Sequence, residues 1–393
     1  MNAHSYRTLA AAIAVAVGSS NAWALTPQSI DVYGLNFTPT VTVAESHDSN
    51  IHESRDKTSS WVTRINPSFA LSAEAAKSGY QLRYDADNYT YHSAHKADHT
   101  NHHLAGDATF EFDARNRLKL NAGYNKLEQT TDTAVKGSND KLHTENIGGV
   151  YTYGARSALI QVDLGANFFR QRYENHLDFS IQNGEGNRAK NYDATTLNSI
   201  VYYRIAPKTQ LLGEVRHTKY DYQWSESTRN SKNWAYLIGA KWEATAQTTG
   251  TAKLGYERKR FDQKDIKNQS SPMWEVGVEW APLTYSTFGL NARRAFDEGD
   301  DGASVVKNQT YNATWKHYWL ERLYSDVSYT YTEKKYQDQH RTDKLNSYGV
   351  GLNYEMRRWL DVGIGYSSSK RDSDLYDKRF NRNIWGLTLN ASL

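Results

Sequence analysis

Apolar and polar side chains alternate along this chain in segments of roughly ten residues, and the pattern recurs from Thr40 to Leu393. The clearest segment runs from Trp274 to Trp280, where one face carries two tryptophans and two valines and the other carries two glutamates and a glycine. Successive side chains of a strand point to opposite sides, so each segment predicts a strand with one apolar and one polar face. About eighteen such segments follow one another.

The connections between these segments are short and long by turns. About eight tight turns alternate with about nine polar loops, none much longer than about fifteen residues. This regular alternation of short and long connections, which we call the parity of the connections, predicts an all-β fold. The fold is a transmembrane antiparallel up-and-down β-barrel of about 18 strands with short periplasmic turns and longer external loops. The strands of a water-soluble β-sandwich would also alternate between apolar and polar side chains, but its connections have no reason to alternate between short and long.

The amino terminus has the composition of a secretory signal peptide. Arg7 precedes an apolar run from Leu9 to Val17, and Ala22-Trp23-Ala24 offers a small-residue cleavage site. The run is too short to span a bilayer as a helix. We therefore expect a signal peptide over residues 1–24, a short periplasmic segment over 25–37 and one barrel domain over 38–393.

The composition also favours a barrel. The chain has no cysteine, so an exported form must be stabilised by packing or by a membrane rather than by disulfides. Its mean hydropathy is only −0.78, yet a barrel can still cross a bilayer because every second residue faces the lumen and closure satisfies the backbone. The 28 tyrosines and 11 tryptophans collect near strand ends, where interfacial aromatic girdles form.

Eighteen strands enclose a water-filled lumen, so transport is the expected function. The polar faces mix both signs of charge, and the formal net charge of +3 indicates no simple ion preference. Each of these residues either lines the channel or only ties the barrel wall together. The predicted lumen-facing set is Arg83, Asp85, Asp87, Lys119, Asp163, Arg204, Lys253, Glu275, Glu279, Arg293, Asp326, Glu355 and Asp361.

Other patterns give weaker signals. Five histidines between His92 and His103 could bind Zn²⁺ or Ni²⁺, but a solvated rim is favoured because no carboxylate or cysteine pattern completes a site. The acidic run from Asp297 to Gly302 invites a calcium site, but it lacks the spaced ligands and the terminal glutamate of a calcium loop, so a solvated acidic loop is favoured. No nucleophile motif, phosphate-cradling loop or basic nucleic-acid stripe is present. We expect neither an enzyme nor a bound cofactor or metal.

Five stretches near the start carry a family resemblance: Val43–Ile51 with its Asp-Ser-Asn-Ile, Thr63–Ser68 with its Asn-Pro-Ser, Leu82–Tyr91, Leu104–Phe112 and Leu118–Tyr124. Together they resemble the outer-membrane β-barrel porin group encoded with exopolysaccharide and capsule biosynthesis and export machinery. The match is best from Phe37 to Tyr124, and beyond it only the strand pattern agrees. Two departures are His47, where the family often has an aromatic residue, and Leu393, where outer-membrane barrels commonly end in phenylalanine.

The resemblance implies an outer-membrane channel that secretes exopolysaccharide or capsular polysaccharide together with a periplasmic polysaccharide-export protein. We expect a monomeric barrel among outer-membrane lipids, with no nucleic acid as a partner. The periplasmic partner would meet positive charge on the tight turns, at Arg156, Lys208, Arg322, Arg357 and Arg358. A general or small-solute porin and a non-transporting surface barrel remain the alternatives.

Overall fold

The structure, a computed structural model, describes residues 29–133, 138–175, 186–245, 247–299 and 302–392. The predicted signal peptide over residues 1–24 lies outside this part of the chain. The strands are β1 (Ile30–Val32), β2 (Leu35–Asp48), β3 (Ser60–Ala75), β4 (Ser78–Tyr91), β5 (His99–Glu111), β6 (Asn116–Gln129), β7 (Asp140–Tyr153), β8 (Ile160–Tyr173), β9 (Tyr192–Ala206), β10 (Thr209–Tyr222), β11 (Ser231–Thr245), β12 (Thr248–Phe261), β13 (Gln269–Leu283), β14 (Ser286–Glu298), β15 (Val305–Leu320), β16 (Leu323–Tyr336), β17 (Arg341–Arg357), β18 (Leu360–Ser373) and β19 (Phe380–Ser392). Short 3-10 turns lie at His95–Ala97, Gly186–Lys190 and Tyr376–Lys378.

Each strand from β2 to β19 pairs antiparallel with the next one along the chain, and β19 pairs back with β2 from Ile384–Asp48 to Ser392–Thr40. The result is a closed barrel of 18 strands, as the alternation predicted. Strand β1 adds a small hairpin to β2 through Tyr33 and Gly34, both with positive φ, as a tight two-residue hairpin turn requires. No helix among the described residues is long and apolar enough to cross a membrane.

The short connections meet at one end of the barrel, which we call the turn end, and the longer ones meet at the other, the loop end. The alternation predicts the turn after β13 at Ala281–Leu283, but the structure places it slightly further along the chain. Strand β13 continues through Leu283, and the turn falls at Thr284 and Tyr285. Pro282 can lie within β13 because a proline near a strand end is tolerated where its missing N–H is not needed.

The two faces of the wall differ as the alternation predicted. Large apolar side chains such as Ile238 and Leu254 are 74% and 61% exposed, and they share their face with aromatic residues. Charged residues occupy the opposite, inward face, where Glu275 stands directly between Lys253 on β12 and Arg293 on β14. An exposed apolar outer surface and a charged inner one are the faces of a barrel that is surrounded by lipid.

The Asp-Ser-Asn-Ile and Asn-Pro-Ser stretches prove to be structural. Asp48 ion-pairs with Arg382 of β19 at 2.6 Å, and the fully buried Asn50 donates from Nδ2 to the carbonyl oxygens of Ser54 and Asn381. These contacts fasten the first barrel strand to the last one at the loop end. Pro67 falls in a gap of the β3–β4 ladder, because proline has no N–H to donate to it.

One hairpin leaves the wall at the loop end. Strands β13 and β14 pair only as far as Trp274 and Arg294; beyond them, residues 269–273 pair with β12 alone and residues 295–298 pair with β15 alone. Ala295 instead packs on Leu237 of β11 and Met273 of β13. The outer end of the β14–β15 hairpin therefore folds inward and lies over the inner faces of β11 to β13.

Candidate functional site in the lumen

Four inward side chains form an alternating charge cluster on β10, β12 and β13. Arg216 Nη1 lies 2.9 Å from Glu275 Oε1, and Lys253 Nζ lies 2.9 Å from Glu214 Oε2 and also contacts Glu275. Glu214 and Lys253 are only 4% and 6% exposed. Buried charges are costly unless they are paired, so this cluster is a fixed, electrically neutral part of the channel wall. Of its members, the sequence predicted Lys253 and Glu275.

The inward-folded hairpin is held by polar contacts to the wall. Glu298 accepts a hydrogen bond of 2.7 Å from the Tyr222 hydroxyl and ion-pairs with Lys259, whose side chain is 1% exposed. The Phe296 N–H donates to the buried carboxylate of Glu257 at 2.7 Å. At the base of the hairpin, Asp297 ion-pairs with Arg293 at 3.1 Å. We call the Glu298 contacts to Lys259 and Tyr222 the hairpin latch.

The sequence treated Asp297 and Glu298 as part of a solvated acidic loop, whereas both belong to β14 and are engaged in ion pairs. Asp300 and Asp301 of the same run lie outside the described residues. Alternation could not reveal the inward fold, because these residues keep the strand pattern. One available signal was Pro272, which lies in the part of β13 that β14 leaves unpaired, since proline suits an edge strand.

An aromatic cluster lies beside the latch on the inner face of β8, β9 and β10. The ring centroid of Tyr192 is 5.8 Å from that of Phe169, 6.0 Å from that of Tyr220 and 5.4 Å from that of Tyr222. Lys259 Nζ lies 4.1 Å from the Tyr220 ring centroid. The latch therefore covers a surface of aromatic rings that points into the channel.

External loops contact the barrel mouth at a second place. Asp132, between β6 and β7, ion-pairs with Arg371 of β18 at 2.6 Å, and Glu53, between β2 and β3, ion-pairs with Arg382 at 2.7 Å. Burial would raise the pKa of Asp132, but Arg371 lowers it below the usual value. For Glu53, burial raises the pKa despite the opposing effect of Arg382. The loop after β6 thus reaches a strand on a distant part of the ring.

Carboxylates gather near the turn end. Glu355 and Asp361 stand directly opposite each other on β17 and β18. Glu355 accepts a 3.2 Å hydrogen bond from the Tyr318 hydroxyl, and Asp326 accepts one of 2.6 Å from Asn353. Asp361 is 4% exposed, and its Oδ1 has no hydrogen-bond partner within the described chain.

The remaining predicted lumen residues are dispersed. Arg83 ion-pairs with Asp85 at 2.8 Å, and Asp163 accepts a 2.6 Å hydrogen bond from Thr152. Lys119 and Glu279 are exposed. The other two members bind within the wall: Asp87 ion-pairs with Arg64 at 2.6 Å, and Arg204 donates to the Pro207 carbonyl oxygen at 2.6 Å.

The predicted rim cations all lie at the turn end. Arg156 ion-pairs with Glu111 across the neighbouring turn, whereas Lys208, Arg322 and Arg358 occupy turns and Arg357 ends β17. The five histidines near the second loop contact different neighbours; His102, for example, bonds the Tyr84 hydroxyl at 2.8 Å. Within the described ranges no three metal-binding side chains come together.

The whole barrel matches a known family. The model of the family described as "Putative beta-barrel porin 2" matches residues 32–393. The chain belongs to this family. It is a porin-like barrel of the bacterial outer membrane, which makes the turn end periplasmic and the loop end external, since bacterial barrels keep their short turns in the periplasm.

Solved structures show the same fold at low sequence identity. The FrpB iron transporter from Neisseria meningitidis (F5-1 variant, apoprotein form) is 11% identical, with a TM-score of 0.51 over 93% of this chain and 82% of that one. The F3-3 variant of FrpB is 13% identical, with a TM-score of 0.49 over 90% of this chain and 64% of that one. The outer membrane protein OpdK from Pseudomonas aeruginosa is 12% identical, with a TM-score of 0.47 over 91% and 99%. No curated protein matches the sequence.

Proposed function

We propose that this barrel is an outer-membrane channel for secretion of exopolysaccharide or capsular polysaccharide. The observation that carries the proposal is the hairpin latch, which holds the end of β14 across the inner wall over an aromatic surface. A general diffusion pore works without being opened, whereas a secretion channel that is closed at rest protects the outer membrane between transport events. The resemblance over Phe37–Tyr124 supports the same function.

The chemistry of the inner wall suits a hydrated sugar chain. Tyr192, Tyr220 and Tyr222 offer ring faces on which the apolar faces of sugars can pack. Hydroxyls, amides and paired charges around them can exchange hydrogen bonds with sugar hydroxyls directly or through water. Because the cluster of Glu214, Arg216, Lys253 and Glu275 is neutral as a whole, it presents no strong field to a passing chain.

Secretion would require the hairpin to move. Breaking the latch exposes Tyr222 and leaves room where Glu298 now lies, so the aromatic surface becomes available as the channel opens. A periplasmic polysaccharide-export protein at the turn end would couple opening to delivery of the chain. Its contact surface would include Lys208, Arg322, Arg357 and Arg358, whose charges steer encounter more than they add affinity.

Single-channel recording tests the proposal. Refolded barrel in planar bilayers should show rare openings, and Glu298→Gln should raise the open probability because the Lys259 pair is lost. A neutral oligosaccharide added to the Glu298→Gln channel should interrupt the current. These interruptions should be shorter when the same channel also carries Tyr192→Ala. The matched control is Tyr236→Ala, which removes a 55% exposed tyrosine from the lipid face. A wild-type channel that is always open and unaffected by oligosaccharide would contradict the proposal.

A small-solute porin is the second candidate, favoured by one observation. Arg216 and Glu275, whose side chains are each 22% exposed, place one charge of each sign on the inner wall, as in a constriction that sorts small ions. In that case wild-type barrels would conduct steadily, and neutralising Glu275 would change ion selectivity. Interruption of the current by oligosaccharide would be absent.

A further inference from the structure

Cations crowd together on the outward face of the barrel at the loop end. Lys219 on β10 stands directly opposite Lys232 on β11, which stands directly opposite Arg260 on β12. Arg258 shares this face two residues along β12. On the other side of the unpaired ends of β13 and β14, Lys335 lies on β16 opposite Lys307, which belongs to the inward-folded hairpin. We call these six residues the basic belt.

Like charges directly opposite each other destabilise a sheet unless counter-charges are near. The chain supplies only some of them: Asp221 pairs with Lys219 at 2.8 Å, Asp262 with Lys232 at 3.9 Å and Glu333 with Lys335 at 2.9 Å. Arg258, Arg260 and Lys307 have no carboxylate partner within the described residues. Apart from the partly exposed Lys307, the belt cations are exposed.

The position of the basic belt identifies its partner. On β11 and β12 it continues the same face as Trp234, Tyr236, Leu254 and Tyr256, which are 39% to 61% exposed and belong to the lipid-facing surface. The cations therefore lie just beyond the apolar band on the external side. The guanidinium group of arginine suits phosphate because it can donate two parallel hydrogen bonds to the phosphate oxygens.

We propose that the basic belt binds the phosphate groups of an anionic glycolipid in the outer leaflet of the membrane. The phosphates would supply the counter-charge that Arg258, Arg260 and Lys307 lack. This inference is independent of what the channel transports, because the four belt cations on β10 to β12 share the lipid-facing side of the wall.

A neighbouring part of the wall offers a matched control. Arg170 and Arg172 on β8 have the same spacing as Arg258 and Arg260 and also lie near the loop end. Unlike the belt pair, both contact Asp193, at 3.0 and 2.6 Å. Replacing either pair with glutamine removes two positive charges, but only the belt pair lacks a carboxylate of its own.

The experiment measures binding of bis-phosphorylated lipid A to the folded barrel in neutral detergent micelles by native mass spectrometry. Arg258→Gln with Arg260→Gln should weaken binding about tenfold or more, since a hydrogen bond to a charged group is worth about 1.5 to 3 kcal/mol. Lys307→Gln with Lys335→Gln should also weaken it, whereas Arg170→Gln with Arg172→Gln should leave it within about threefold. Resistance of the barrel to unfolding in cold detergent gels checks that each variant is folded.

Three results would overturn the inference. If the glutamine variants of the belt pair and of the control pair weaken lipid binding equally, the effect would come from the overall charge of the barrel rather than from the basic belt. Equal binding of the same lipid without its phosphates would remove phosphate as the recognised group. Displacement of the lipid by inorganic phosphate at the same molar concentration would indicate a soluble anion rather than a membrane lipid.

Discussion

Val278 and Gly277 are neighbours on β13 that face opposite sides of the wall, so the same substitution at both tests the assignment of faces. Val278 stands opposite Leu290, which is 48% exposed, and we place it in lipid. Gly277 faces the lumen, where an added Cβ would lie 3.4 Å from Asn291 Oδ1, an ordinary contact distance. We therefore expect Val278→Arg to be costly and Gly277→Arg to be tolerated.

The expected cost follows from the depth of Val278. Trp274 and Trp280 mark the two aromatic levels on the outer face of β13, and their six-residue separation spans about 16 Å along the membrane normal for a strand tilted by about 40°. Val278 lies about 5 Å inside the Trp280 level. An arginine at the midplane costs about 2 to 4 kcal/mol, and the cost falls towards the interfaces. We expect about 2 kcal/mol for Val278→Arg and about 0.5 kcal/mol or less for Gly277→Arg.

The assay is reversible folding into phospholipid vesicles, followed by urea titration and by the shift of the folded band in unheated gels. Val278→Arg should lower the midpoint of unfolding, while Gly277→Arg should overlay the wild type. Equal losses from the two substitutions would refute the face assignment, and so would a larger loss from Gly277→Arg.

Three further predictions concern the wall, the loops and the rim. Gly255→Ala should destabilise the barrel by about 1 to 3 kcal/mol, because its Cβ would overlap the Tyr236 carbonyl oxygen; Gly213→Ala, with nothing within 4 Å of its Cβ, should be neutral in the same urea titration. The lowered pKa of Asp132 means that its contribution to loop docking is complete above the usual carboxyl pKa and is lost as the pH falls from about 4 through the lowered value. Protection of the loop from protease should therefore be constant from neutral pH to about pH 4, and Asp132→Asn should abolish it; protection that declines already near pH 6 would contradict this assignment. If the proposed periplasmic polysaccharide-export protein binds the rim, reversing Arg357 and Arg358 to glutamate should weaken its pull-down, more so at low salt, without lowering the yield of folded barrel; an unchanged pull-down would exclude these arginines from the contact.

The barrel itself could be predicted because strand alternation and the parity of connections are local in sequence. Each segment such as Trp274–Trp280 shows its two faces within about ten residues, and closure then fixes which face meets lipid. The inward position of Glu275 and Arg293 followed from the same periodicity. The strand count and the membrane were therefore accessible without any knowledge of long-range contacts.

Contacts between residues far apart in the sequence could not be predicted in the same way. Glu298 meets Tyr222 and Lys259 only because β14 leaves β13 after Trp274 pairs with Arg294, and alternation continues through that point. The Asp48–Arg382 pair joins the first and last strands of the barrel, so its partners are separated by almost the whole chain. Only the family resemblance linked the Asp-Ser-Asn-Ile stretch to a function. In the structure, its contacts fasten β2 to β19 and so help to close the barrel.

The proposal of polysaccharide secretion is tested most directly by deleting the gene and measuring the polysaccharide on the cell surface, alongside the uptake of small nutrients and antibiotics. We predict that surface polysaccharide is lost, that uptake is unchanged, and that the wild-type gene restores the polymer. Normal surface polysaccharide together with reduced uptake of small solutes would contradict the proposal and identify the barrel as a small-solute porin.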